Sequence, residues 1–293
     1  MLLSTSISHY LRRFDFKEIV KMTHEAGFDA LDFGFFSPEW YQEDTDTTEF
    51  KKRLLEYRKM VEDKGMVFNQ AHAPFPSSTA DPEKTEEIFG DIVRSMKYAS
   101  YLGIGIIVVH PCQHLTYAEE GTPEKLFEMN MDFYNRLKPY CEEYQIQIAI
   151  ENMWKYLKKR KIYHSTCSRP EEFIKYIDAL DSKWFVGCLD IGHATLVCQD
   201  PAEFIRKLGH DRLKALHVHD VDGMEDSHTL PFYGVTDWDA VTKALREIDY
   251  TGDFTFEAGN FFNVLPNELY SSASRHMVET GRYLMNKMTR EAE

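Results

Sequence analysis

Six successive apolar segments of this chain end on side chains able to ligate a metal or carry a proton. His72 closes NQAHAPF, His110 closes IIVVHP, and Glu151 closes IQIAIEN. Asp190 and then His193 close FVGCLDIGH, His217 and His219 close LKALHVHD, and Glu257 closes DFTFEAG. Taken singly, each is ordinary, because a lone histidine at the end of a strand is commonly a hydrogen-bonded structural residue. The set is not ordinary. Two glutamates, an aspartate and several histidines at one rim would repel, or stay expensively desolvated, without a cation among them. Carboxylates and imidazoles together are natural oxygen and nitrogen ligands of a divalent metal. The chemistry they suit is proton transfer at a carbon beside a carbonyl. That reaction needs a base, a group that returns the proton, and a Lewis acid that stabilises the enediolate.

Those residues need elements to bring them together, and the sequence supplies eight. LLSTSI, ALDFGFF, MVFNQAH, GIIVVH, IQIAIE, WFVGCLD, LKALHVHD and DFTFEAG are short β-rich runs whose starts lie 28 to 41 residues apart. Most of the segments between them read as amphipathic helices with start and stop signals, such as Asp81-Pro82 before one and Gly27 after another. Eight alternations without a low-complexity linker predict one closed (β/α)₈ TIM barrel over residues 1–293, with reactive groups at the C-terminal ends of its strands. No G-x-G-x-x-G follows the first run and no phosphate-binding G-x-x-x-x-G-K-[ST] occurs, so a nucleotide-binding doubly wound sheet loses support.

The 293 residues hold 48 acidic and 34 basic side chains, a net charge of −14. A nucleic-acid or membrane-surface binder should carry a basic field, so neither is the expected partner. No apolar run approaches the ~20 residues that cross a bilayer. Five cysteines form no C-x-x-C pair, which fits reduced thiols and a cytoplasmic location.

The motifs HAPF, VVHP, IEN, LDIGHA, HVHD, EDSHTLP and FEAG, in this order, resemble those of the xylose-isomerase-like TIM barrels. That superfamily includes sugar isomerases and epimerases, inosose dehydratases and type-four AP endonucleases. The resemblance covers essentially the full length. It implies one divalent ion (manganese, magnesium, cobalt or zinc) held by Glu151, Asp190, His217 and Glu257. His217 is preferred to His219 as the first histidine of HVHD. In the epimerase branch Glu151 and Glu257 also shuttle protons, His193 contacts a substrate oxygen, and His72 and His110 line the same pocket. A small sugar or polyol ketone is the implied substrate, and the class leaves room for a homo-oligomer.

Asp226 and His228, in EDSHTLP, are an additional metal pair or loop-ordering residues. In the endonuclease branch they would complete a nine-ligand site for up to three zinc ions. Free-ketose 3-epimerases carry an arginine shortly after the seventh-strand histidine, and VDGMEDSHT has none, so a polyol-ketone dehydratase or other lyase stays in play. KYLKKRK after the fifth strand reads as a solvated loop. Phe35, Phe36, Trp40, Tyr41, Phe75, Phe261 and Phe262 would wall a polyol pocket, with Trp40 as a substrate contact.

Overall fold

A computed structural model of the chain describes residues 1–37, 40, 47–157 and 161–289. Its strands are β1 (Leu3–Ser6), β2 (Ala30–Gly34), β3 (Val67–His72), β4 (Ile106–Val109), β5 (Gln147–Glu151), β6 (Trp154–Leu157), β7 (Lys161–His164), β8 (Phe185–Asp190), β9 (Leu213–His217) and β10 (Phe254–Phe256). Eight of them form one parallel sheet in the order β10-β1-β2-β3-β4-β5-β8-β9. The edges meet where Val218 bridges Phe256, with Val218 N–H donating to Thr255 at 2.9 Å and Glu257 N–H to Val218 at 3.1 Å. The fold is the (β/α)₈ barrel the spacing predicts.

The helices are α1 (Ser8–Leu11), α2 (Phe16–Ala26), α3 (Thr48–Glu62), α4 (Pro82–Leu102), α5 (Thr122–Tyr144), α6 (Pro170–Leu180), α7 (Ile191–Leu196), α8 (Pro201–Arg212), α9 (Trp238–Glu247) and α10 (Tyr270–Thr289). Asp15 and Glu18 form a reciprocal capping box on α2, and Gly27 ends it at φ 102°, a conformation glycine adopts without a Cβ penalty. Asp81 caps α4 by accepting from Glu83 and Lys84 N–H. None of the described helices is long and apolar enough to cross a membrane.

The segment KYLKKRK is not simply a loop. β6 and β7 pair antiparallel, Trp154 opposite His164 and Tyr156 opposite Ile162. β-formers alternate along both arms, and the charge run hides that period. Lys158, Lys159 and Arg160 fall outside the described residues, as does Tyr41.

Period two along the strands builds the site. Val108, Ala149, Val186, Cys188 and Ala215 form a small apolar cluster of their own, separate from the main core. Two positions further along β5, β8 and β9 from Ala149, Cys188 and Ala215 stand Glu151, Asp190 and His217, and His110 follows Val108 in the same way. Alternate strand residues share a face, so the groups that plug the barrel also aim the polar residues into its mouth.

Candidate metal centre

Donor atoms of Glu151, Asp190, His217 and Glu257 all lie within 4.8 Å of one another. His217 Nδ1 stands 3.1 Å from Glu151 Oε1 and 3.1 Å from Glu257 Oε2, with Asp190 Oδ2 at 3.8 Å. Glu151, Asp190 and His217 are buried, and Glu257 is half-buried. These four side chains come from β5, β8 and β9 and from the residue after β10.

Two further groups surround this one. Nε2 of His72 and Nε2 of His110 face each other at 3.1 Å, and both approach Glu151 Oε2, at 3.5 and 2.9 Å. His193, His219, Asp226 and His228 bring donor atoms within 4.8 Å of one another on the other side. There His228 Nε2 and His193 Nε2 lie 3.0 and 3.4 Å from Asp226 Oδ2, and the His219 and His228 rings stack at 4.0 Å. Glu151 Oε2, His217 Nε2 and Asp226 Oδ1 are buried without an aligned hydrogen-bond partner. Leaving buried polar atoms unpaired costs about 1–3 kcal/mol each, and more for charged groups. Crowded acceptors and imidazoles of this kind fit divalent cations.

Neighbouring backbone holds these donors in place. Asp190 is the N-cap of α7: its Oδ1 accepts from His193 N–H at 2.6 Å, leaving Oδ2 to face His219 at 2.9 Å. Asn152 accepts from Asp190 N–H and donates to Asp190 carbonyl, and its own carbonyl contacts His193 Nδ1 at 2.9 Å. His228 Nδ1 contacts the Glu257 carbonyl at 2.8 Å, which turns Nε2 toward Asp226. Trp154 on β6 donates its indole N–H to Asp226.

The electrostatics are those of a site in which protons occupy cation positions. Burial would lower the His217 pKa, but Glu257 and then Glu151 raise it to about 10. His228 rises to about 9 against burial, through its hydrogen bond to Asp226 and the charge of Glu257. Burial likewise opposes the rise of His193, which Asp190 and Asp226 drive well above the usual imidazole range. Glu151 is held well below the usual carboxylate range despite burial, by His217 and His110. Burial raises Asp32, inside the barrel on β2, to about 7.

Every histidine and acid singled out in the sequence is thus brought to one barrel mouth, while Trp40 is not. Its ring is buried among Phe33, Phe35 and Phe50 with Arg53 over it, away from the metal centre, and it lines a neighbouring cavity. Steric demand explains this, since a large apolar ring gains most by filling the gap between β2 and α3. Phe35 and Phe262 also join the core, whereas Phe36 and Phe75 flank His72. Asn152 and Asp220 escaped the sequence reading as site residues, and His219 was named there but passed over in favour of His217. The alternation HVH places both histidines on one strand face, because residues two apart share it.

Residues 20–279 match the xylose isomerase-like TIM barrel family, and the chain belongs to it. An uncharacterized protein, y4fM, of Sinorhizobium fredii is 32% identical over 164 residues, 54% of this chain and about half (49%) of that protein. The D-psicose 3-epimerase of Enterocloster bolteae is 25% identical over 251 residues, 83% of this chain and 76% of the epimerase. The solved IOLI protein with a binding zinc atom superposes with a TM-score of 0.74 at 18% identity, covering 98% of each chain. The comparisons thus give a family, the xylose isomerase-like TIM barrels, and a relative that is a sugar epimerase.

Proposed function

We propose that this chain is a divalent-metal-dependent isomerase or epimerase of a sugar or related polyol ketone. The observation that carries the reading is the convergence of Glu151, Asp190, His217 and Glu257 on one volume at the barrel mouth. An ion held there would supply Lewis-acid polarisation of adjacent carbonyl and hydroxyl oxygens. The named donors suit manganese, cobalt or zinc, and magnesium with more retained water.

The protein's own groups supply the proton chemistry. Glu257 faces a cavity that it lines with Ser6, Phe36, Phe75 and Asn260, so its carboxylate reaches bound substrate and is the base on that side. Glu151 approaches from β5, three strands around the barrel from β10, and serves the opposite face. Removal of the proton beside the carbonyl leaves an enediolate. Return of a proton to the other face of the same carbon epimerises it, and return to the neighbouring carbon isomerises. His193, His72 and His110 are substrate-oxygen contacts in this reading. Elimination of a hydroxyl begins with the same proton removal, so a polyol-ketone lyase uses the same groups.

The two flanking donor groups favour a second reading, a zinc-dependent AP endonuclease with up to three ions. The charge of −14 weighs against a nucleic-acid partner. So does Lys155, whose ammonium is spent on the Gln113 carbonyl rather than offered to phosphate. Five free thiols, four of them buried, suit the cytoplasm.

Metal content per chain, measured with turnover of a ketose panel and incision of abasic-site duplex DNA, tests the assignment. One exchangeable ion with ketose turnover and no incision is expected. Three zinc ions with incision would sink the sugar reading.

A further inference from the structure

The cavity at Glu257 does not end there. It has a volume of about 250 Å³ and shares Ser8, Arg12 and Phe36 with an outer cavity of about 380 Å³. The outer cavity is lined by Arg53, Trp40 and Tyr57 on its far side. Together they make a cleft that runs from Glu257 and His228 at its inner end, past Arg12, which lines both cavities, to Arg53 in the outer one. Gly34 keeps the passage narrow but open: a Cβ there would come 2.2 Å from the Phe36 ring and 2.6 Å from Ser8 Oγ.

The described lining of the outer cavity is cationic. None of its described lining residues is acidic, and among the described residues neither Arg12 nor Arg53 forms an ion pair with a carboxylate. The neighbours of these arginines are occupied: Arg13 donates to the Leu265 and Asn263 carbonyls, and Arg58 pairs with Glu62 at 2.7 Å. Arg53 is steadied rather than neutralised. Its guanidinium lies over the Phe50 and Trp40 rings at 4.9 and 5.4 Å, which engages its face and leaves its N–H edges for a ligand. Ser8 and Tyr57 add hydroxyl groups to the same wall. Two guanidinium groups and two hydroxyls lining one cavity suit a carboxylate or phosphate.

We propose that the substrate is anionic: a polyol ketone whose terminal carboxylate or phosphate sits between Arg12 and Arg53 while its carbonyl end reaches Glu257. The identity of the reacting end rests on the isomerase or epimerase reading. The anion site rests on the arginines alone. This placement also gives Trp40 its role, as the platform beneath Arg53.

Calorimetric binding of a ketohexose, its terminal phosphate ester and its terminal keto-uronate tests this on wild type and on the Arg12→Gln/Arg53→Gln variant. Inorganic phosphate is titrated separately into metal-free protein. One charge-assisted hydrogen bond contributes about ten-fold in affinity, so one or both anionic sugars should bind wild type at least about ten-fold more tightly than the neutral ketose. That ratio should fall to near unity in the double variant. Preference for the ester assigns the group to phosphate, and preference for the uronate assigns it to a carboxylate. Equal binding of neutral and anionic sugars by wild type overturns the proposal, as does an anionic preference that survives both substitutions. If instead no sugar binds, but inorganic phosphate binds wild type and not the variant, the anion site stands and the isomerase reading falls. Absence of binding by every anion, phosphate included, overturns the site.

Discussion

In the proposed function His217 links the protons of the site to the metal it would hold. Its two carboxylate neighbours raise its pKa from 6.5 to about 10, and His228 rises from 6.5 to about 9. A raised histidine stabilises the fold fully below the unfolded value and loses that contribution as pH climbs through the folded value. The metal-free protein should therefore lose this contribution between about pH 6.5 and 10. A metal needs the neutral imidazole, so uptake must displace the proton on His217. At pH 7.5 calorimetry in two buffers of different ionisation enthalpy should report about one proton or more released per ion, shrinking toward zero above pH 10. Release that stays constant across this range would count against His217 as a ligand. Glu257 stands at the open cavity, so Glu257→Gln should fold and lose about 10²–10⁴-fold in turnover. Activity within a few-fold of wild type would remove it from the proton path.

At the scale of elements, the strands hold the central group and one loop holds the outer one. Asp220, just beyond β9, accepts from Val221, Phe232 and Thr236 N–H and from the Trp238 indole, at 2.9–3.1 Å. This buried carboxylate ties down the loop that carries Asp226 and His228. Gly234 must be small because a Cβ there would lie 2.4 Å from Asp220 Oδ1. Asp220→Asn should cost about 2–4 kcal/mol in urea unfolding. It should weaken any metal bound by Asp226 and His228 while sparing the ion at Glu151, Asp190, His217 and Glu257. Equal loss of both would show that the loop is not an independent support. The eight barrel strands, the cap at Asp81 and the stop at Gly27 were legible in sequence because period and capping are local signals. Asp190 and His217 were legible through their place at strand ends. The Asp220 clamp was not, since its partners lie up to 18 residues away and no local pattern marks them. The β6–β7 hairpin was hidden by its lysines, and the burial of the Trp40 ring was not legible because an aromatic after a strand suits a pocket wall and a core equally well.

Over the whole molecule, a net charge of −14 is distributed unevenly. Acids gather with histidines at the barrel mouth, and the adjoining cavity carries two arginines. A ligand that binds only the folded state stabilises it by mass action, about 2.7 kcal/mol at a hundred-fold excess over Kd. For a chain of this size that corresponds to a rise in Tm of about 4 °C. Chelation should reverse the rise, and differential scanning calorimetry with and without EDTA reads it. An unchanged Tm would mean that the central donors hold no tightly bound ion.

In the proposed function Glu151 and Glu257 move a proton on and off a carbon beside a carbonyl, in the presence of a divalent ion. The most direct measurement is proton NMR of a ketose panel, neutral and anionic, incubated with the metal-loaded protein in D₂O. Deuterium should enter the carbon next to the carbonyl of at least one ketose. That exchange should disappear with EDTA and with Glu257→Gln. No exchange into any ketose, together with incision of abasic-site DNA by the same preparation, would rule out the isomerase or epimerase reading.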